Sequence, residues 1–256
     1  MSIKVSACIV TFNNIKYIGK TVGTLLGFTQ GVDLTLYIVD NGSTDGTIEL
    51  LEQEFDNAPN LKIIRTNLNN GFGAGHNEIL NIIDSDYHVV LNPDIVIADD
   101  VIEKMAIYMQ EHNDIDLISP KICFPDGRVQ MLGKRNPKLK YLFASRLRNE
   151  DNPSKLLREY TMIDEDWSQP FDLENASGCF MFFRTSAFKR LGGFDERYFM
   201  YFEDCDITRE IRKTSRAVFF PDAVIYHVWG RDSKRDLNLM SIHIKSMFSY
   251  FWKWRR

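Results

Sequence analysis

The 256-residue sequence has no uninterrupted apolar run of about 18 residues, the length a helix needs to span a bilayer. Its opening, MSIKVSACIVTF, lacks a separate charged region and a cleavage site, and reads as a first strand rather than a signal peptide. Cysteine is scarce. Cys8, Cys123, Cys179 and Cys205 lie far apart, no pair has metal-ligand spacing, and all sit in apolar or strand-like contexts, which points to free buried thiols in a reducing cytoplasm. Positive charge is not in excess either. A formal net charge of −4 gives no general affinity for polyanions, so nucleic acid is not an expected partner. Internal repeats and low-complexity tracts are absent, which excludes a solenoid or a linker-dominated chain. What is present is an ordinary 44% of apolar residues, enough to bury one sizeable core.

The first half alternates between two periods. Residues 5–11 form an apolar run of strand type, after which Ile15, Ile18, Val22, Leu25 and Leu26 recur at helical spacing. Further strands are predicted over 34–39, 61–65, 87–91 and 115–119, with helices marked by Ile48, Leu51 and Phe55, by residues 78–83, and by Val101, Met105 and Met109 behind Asp99 or Asp100 as cap. Strand followed by helix predicts parallel βαβ units on one sheet. Beyond Ser119, KICFPDGRVQ reads as a small hairpin, residues 133–169 as a mobile, partly helical excursion, and residues 174–184 and 217–220 as strands again. The boundaries expected are a nucleotide-binding half over 1–120, an acceptor-binding half of the same domain over 121–232, and an amphipathic helix over 233–256.

Ligands of such sheets bind beyond the carboxyl ends of the strands. Four predicted ends carry loop-forming polar residues: those at Thr11 to Asn14, Asp40 to Ser43, Asn69 to Gly73, and Asn92 to Asp94. Asp40 can accept from an N–H donor such as a base imide, or simply cap a turn. The loop GFGAGH fails the dinucleotide fingerprint, because His76 occupies the third glycine position, yet its glycines allow close backbone approach to a ligand. Asp94 suits Mg²⁺ or Mn²⁺, which take few protein oxygens and let substrate phosphates supply the rest. His227 is a second candidate or a structural histidine.

The densest feature is GGFDERYFMYFEDCDITREIR, residues 192–212, in which Glu203, Asp204 and Asp206 crowd beside the aromatic run from Tyr198 to Phe202. Crowded carboxylates repel one another and raise their own pKa values, a property of acid–base sites, although a helix N-terminus also attracts acids. At the C-terminus, Leu237, Met240, Ile244, Met247, Phe248 and Phe251 share one helical face, and SYFWKWRR interleaves aromatics with cations. That ending suits either a membrane headgroup layer or packing on the body or a second subunit.

Taken in order, VTFNN, VDNGSTDGT, NNGFGAGHN, LNPDI, ASGCFMFFR, the 192–212 string and YHVWG resemble the family 2 glycosyltransferases, closest to bacterial rhamnosyltransferases of cell-wall and O-antigen assembly. The resemblance implies a GT-A fold, a Rossmann-like, mostly parallel α/β sheet flanked by helices. It implies an inverting transferase moving a sugar, with L-rhamnose from dTDP-L-rhamnose foremost, onto a lipid-linked saccharide at the cytoplasmic face of the membrane. Carried over residue by residue, Thr11, Asn13, Asp40, Asn69, Gly71, Phe72, Asn77, Asn92 and Asp94 would bind the nucleotide-sugar donor. Asp94 and His227 would hold Mg²⁺ or Mn²⁺, with Asn92 standing where many members have the first acid of Asp-x-Asp. Asp204 would be the general base, and Gly178, Tyr201 and Glu203 would lie on the acceptor side. The competing expectations are a UDP-hexose-dependent transferase of the same fold and a catalytically inactive sugar-nucleotide scaffold. A pyrophosphorylase would need a basic glycine-rich loop where TFNNIKY stands.

Overall fold

The computed structural model describes residues 2–66, 68–147, 149, 152–228 and 237–255. Trp229 and Gly230 of the YHVWG string, and the first residues of the expected 233–256 segment, lie outside the described residues.

Four strands, β1 (Lys4–Thr11), β2 (Asp33–Asp40), β3 (Leu61–Arg65) and β4 (Tyr87–Leu91), are parallel and lie side by side in the order β3-β2-β1-β4. The crossovers carry α1 (Ile18–Phe28), α2 (Thr47–Phe55) and the short α3 (Phe72–Asn77). Seven consecutive buried residues in β1 match a central parallel strand covered on both faces. Alternation sorts them: Val5, Ala7 and Ile9 enter one core, and Cys8 and Val10 the other. Register brings Thr11 level with Asp40, and Ile9 level with Leu91, so the polar strand ends are neighbours along one edge.

The sheet continues through β5 (Ile95–Ile97), α4 (Val101–Glu111), β6 (Ile115–Cys123), α5 (Leu139–Arg146), α6 (Lys155–Thr161), β7 (Phe171–Asp172), β8 (Phe180–Arg184), α7 (Thr185–Leu191), α8 (Glu203–Ile211) and β9 (Arg216–His227), and the chain ends in α9 (Leu237–Lys253). Asp100, rather than Asp99, caps α4 by accepting from the Glu103 N–H at 3.0 Å. The hairpin expected at 125–127 is present, with the Phe124 N–H bonded to the Arg128 carbonyl at 2.7 Å. The 133–169 excursion holds α5 and α6, joined by the stacked rings of Tyr141 and Tyr160.

Three departures from the sequence reading shape the site. The strand expected over 174–184 begins only at Phe180, because Glu174 and Asn175 are drawn off to the Lys134 carbonyl. β8 then runs antiparallel between β4 and β6, which breaks the parallel order. The helix expected over 78–83 is α3, formed from the glycine loop itself. A Cβ at Gly73 would meet Phe194 at 2.9 Å and one at Gly75 would meet Val10 at 2.7 Å, so close packing outweighs glycine's poor helix propensity. The three-residue β5, too short to be read from periodicity, pairs with the end of β9, Ile95 opposite His227.

Candidate active site

The carboxyl ends of β1 and β2 and the loop after β3 are joined by a web of hydrogen bonds. Asn13 adopts φ +56° and receives the Thr44 N–H at 2.8 Å, while its own N–H donates to Ser43 Oγ at 2.9 Å. Asp40 is nearly buried, and both of its oxygens accept from one donor, the Ser43 N–H, at 3.1 and 3.2 Å. A carboxylate has about four acceptor positions, so capacity remains for a ligand's N–H. Thr11 is buried and its hydroxyl donates to Asn14 Oδ1 at 3.1 Å. Asn69 Oδ1 accepts from the Gly71 N–H at 3.0 Å, and Asn41 Nδ2 ties this turn to β2 through the Gly71 carbonyl at 3.0 Å. Asn41, absent from the expected site, thus positions the loop. Asn77 points elsewhere: it exchanges hydrogen bonds with the backbone of Phe194 at 2.8 and 2.9 Å and donates to Glu196 at 3.0 Å. Its amide is committed to clamping the 194–196 segment instead of lining the donor site.

The β5–β9 pairing sets up the candidate metal site. The Val228 N–H donates to the Asp94 carbonyl at 3.3 Å, and His227 Nε2 lies 3.4 Å from Asp94 Oδ1. Gln130, from the hairpin after β6, decides the tautomer. Its Nε2 donates to the His227 carbonyl at 2.7 Å, so its Oε1 is the atom 3.0 Å from His227 Nδ1. Oxygen only accepts here, so Nδ1 carries the proton and the Nε2 lone pair faces Asp94, the arrangement that orients metal-binding histidines. Neighbouring ligands on a six-coordinate ion with bonds of about 2.1 Å stand about 3 Å apart, so the pair fits a divalent cation. Imidazole beside carboxylate favours Mn²⁺ over Mg²⁺. Among the described residues, no group of three or more His, Cys, Asp or Glu could hold a metal alone, so an ion at this pair would need further ligands.

Asn92 stands between the Asp94–His227 pair and Asp204. Its N–H donates to the Cys179 carbonyl at 3.0 Å, and the adjacent Gly178 N–H donates to Asp204 Oδ2 at 2.9 Å. A side chain at Gly178 would meet Asp204 Cβ at 3.3 Å and the Phe72 ring at 3.6 Å. Asp204 stands in the first turn of α8, where the helix dipole favours a carboxylate. Burial raises its pKa, and the Gly178 and Cys205 N–H groups restrain the rise. Glu203 is pushed up further, by burial and then by Asp204, and its Oε2 is buried without a partner among the described residues. Within this pair the proton belongs on Glu203, which leaves Asp204 the ionised member. Lys134, which no periodicity marks, is buried beneath this region, and burial pulls its ammonium down to about 8. Cys179 lies within the fields of Lys134, Asp94 and Asp204.

Half of the aromatics in the run from Tyr198 to Phe202 face a core rather than the site. Tyr198 and Phe202 are buried with Cys205 and Tyr250 in a small core between α8 and α9, because α9 covers them. Phe199 accepts the Phe72 N–H through its carbonyl at 2.8 Å, which joins the glycine loop to the approach to α8. Among the aromatics of the run, Phe199 is exposed and Tyr201 half-buried. Tyr201 and Phe202 both take φ near +70°, at +71° and +70°, strain that is held by this packing. Asp206 faces away from Asp204 and binds Lys253 Nζ at 2.7 Å and Trp254 Nε1 at 2.7 Å.

The fold is that of a GT-A glycosyltransferase. Staphylococcus aureus TarS in complex with UDP superimposes with a TM-score of 0.63 at 19% identity, over 95% of this chain and 65% of that one, so this chain spans just under two thirds of that structure. Pyrobaculum calidifontis mannosyltransferase PcManGT, in complex with GDP-Man and Mn²⁺, gives a TM-score of 0.62 at 18% identity over 88% of this chain and 56% of that one. The chain belongs to glycosyl transferase family 2, whose model matches residues 6–192. A similar curated relative, the N-acetylglucosaminyl-diphospho-decaprenol L-rhamnosyltransferase of Mycobacterium tuberculosis, is 27% identical over 85% of this chain and 74% of its own length. The rhamnosyltransferase WbbL of Escherichia coli is also 27% identical, over 70% of each chain.

Proposed function

We propose that this chain transfers L-rhamnose from dTDP-L-rhamnose to a hydroxyl of a lipid-linked saccharide, with inversion, in bacterial surface polysaccharide synthesis. The observation that carries the reading is the short path from the donor edge to Asp204, through Asn92, Cys179 and Gly178. Asp40 accepts the imide N–H of the base, and Thr11, Asn13 and the turn from Asn69 to Phe72 line the nucleotide. A divalent cation held by Asp94 and His227 would neutralise the charge that develops on the leaving diphosphate. Asp204 removes the proton of the acceptor hydroxyl as that oxygen attacks the anomeric carbon from the face opposite the diphosphate. One displacement inverts the centre, so a β-linked donor yields an α-L-rhamnoside. Glu203, kept neutral by burial, holds no second negative charge against the attacking oxygen. Gly178 and Tyr201 stand on the acceptor side, and a lipid-borne acceptor would bring the chain to the cytoplasmic face of the membrane as a peripheral protein.

Two measurements test the reading. In Asp204→Asn the donor still binds while transfer falls by about 10²- to 10⁴-fold, the usual weight of a general base. Full activity in that variant removes Asp204 from the role. A panel of dTDP- and UDP-sugars, with and without Mn²⁺, gives its largest thermal shift with dTDP-L-rhamnose. Preference for a UDP-hexose would replace the donor, because thymine and uracil offer Asp40 the same imide.

A further inference from the structure

α9 has two faces. The inner one is anchored by Tyr250, by Ser246 donating to the Met200 carbonyl at 2.8 Å, and by the Lys253 and Trp254 contacts to Asp206. Much of the aromatic and basic ending is therefore turned into the protein. The outer face is apolar and continues onto α5, which packs beside α9 through Leu142 and through Arg146 at Met240. Leu139 and Phe143 on α5 with Leu147 at its C-cap, and Leu237, Phe248 and Trp252 on α9, are each between 63% and 76% exposed. Their spacings, four and four on α5, place each set along one stripe of its helix. Ile244 on α9 is also exposed, at 42%, whereas Phe28, Leu68 and Ile107 belong to separate elements elsewhere.

Charge selects the occupant. No Asp or Glu occurs over residues 137–149 or 237–256, whereas Lys138, Lys140, Arg146, Lys245 and Arg255 are exposed within these segments. The Arg255 guanidinium lies 5.0 Å from the Trp252 ring, an aromatic–cation pair at the outer end of α9. A two-fold pairing of this face with a second copy would set cations against cations. A bilayer with anionic headgroups instead receives both the apolar stripes and their basic rim.

We propose that the outer faces of α5 and α9 together form a docking platform for an anionic lipid bilayer. The proposal rests on the lipid-linked-acceptor reading only for its purpose, since the surface itself is defined by burial and charge. Docking through outward faces leaves the inner face of α9 locked on α8, and so holds the catalytic helix at a fixed attitude to the membrane.

The test compares the full chain with Phe143→Ser/Phe248→Ser/Trp252→Ser and with Lys245→Glu/Arg255→Glu, using vesicles of phosphatidylcholine with and without phosphatidylglycerol. The chain co-sediments with the anionic vesicles, the triple variant loses at least about 100-fold in partitioning, and the charge variant loses most of its preference for phosphatidylglycerol. All of these residues are exposed, and transfer to a water-soluble acceptor remains at its original rate, which separates failed docking from failed chemistry. Equal vesicle binding by all three proteins overturns the platform. So does a self-associating chain, seen by analytical ultracentrifugation, that the triple variant converts to monomer without any vesicle binding by the original.

Discussion

Replacing Lys253 by Met tests whether the terminal helix is fastened to α8 by a buried charge. Lys253 Nζ reaches Asp206 at 2.7 Å, Asp195 at 3.0 Å and Glu210 at 3.4 Å, with Asp206 almost wholly buried and Lys253 about one-fifth exposed. Removing one partner of a fully buried pair costs about 3–5 kcal/mol. Here Asp206 keeps the Trp254 Nε1–H at 2.7 Å and the Tyr198 hydroxyl at 3.3 Å, so about 2–3 kcal/mol is expected. Asp206→Asn loses less, about 1 kcal/mol, because Lys253 retains Asp195 and Glu210. The double variant should fall short of the sum by about 1–2 kcal/mol in urea unfolding. pH gives a second, independent sign. Burial already raises the Asp206 pKa against the opposing pull of Lys253, and removing Lys253 raises it further. A carboxyl whose folded pKa exceeds its unfolded value binds more protons when folded, so it favours the fold most at low pH and loses that stabilisation as pH rises through the folded pKa. The deficit of Lys253→Met therefore shrinks as the solution is acidified from neutrality. A deficit below about 0.5 kcal/mol, or one that does not change with pH, refutes the tie.

Gly71→Ala would force a side chain into φ +92° with its Cβ 2.0 Å from the Phe199 carbonyl oxygen, breaking the Phe72 bond there; a loss of about 2–4 kcal/mol in thermal unfolding is expected. Gln130→Leu leaves His227 Nδ1 without its acceptor, and Mn²⁺ binding measured by calorimetry in the presence of nucleoside diphosphate should weaken by about 10- to 100-fold; unchanged affinity would separate Gln130 from the metal pair. Asp94→Ala should abolish stimulation by Mn²⁺, and persistence of the stimulation moves the metal elsewhere. In the proposed mechanism Asp204 works only when ionised, and burial raises its pKa, so kcat should decline on acidification from a point above the usual aspartate value. Glu203→Gln mimics the protonated acid and should leave that decline in place; its disappearance would transfer the titration to Glu203.

The legible parts of this molecule are those in which one local signal had one physical outcome. Continuous apolar runs ending in Thr11, Asp40 and Leu91 could only be buried strands, and their neighbouring order brought the polar ends together as their alternation implied. The start of α8 was legible because a crowd of acids before a helical pattern is costly without a task or a dipole, and all three acids do fall in its first turn. The illegible parts depend on distant partners. β8 turns antiparallel, and β5 has three residues that acquire meaning only against His227. Gln130 is one more polar residue of a hairpin until its amide is seen bridging the carbonyl and the ring of His227.

The aromatic run shows why composition alone misassigns such a segment. Aromatics beside acids suit a sugar platform and suit a core equally well, and the choice depends on what covers them. Here the cover is α9, some fifty residues away in sequence, which removes Tyr198 and Phe202 from solvent and takes Asp206 as its anchor. The three acids consequently divide by direction: Asp206 looks back into the α9 lock, Glu203 is sealed and neutral, and Asp204 alone is turned toward Gly178 and the donor edge. A helix thus fastened on one side by Asp206 and strained on entry at Tyr201 and Phe202 has little freedom to rotate. Loosening α9 should therefore lower kcat more than donor affinity, because the bonds that anchor α9, to Met200, Asp195, Asp206 and Glu210, do not involve Asp40 or Asp94. The Lys253→Met variant, assayed for both quantities, decides this: equal loss in donor binding would mean that α9 steadies the whole fold rather than the attitude of the base.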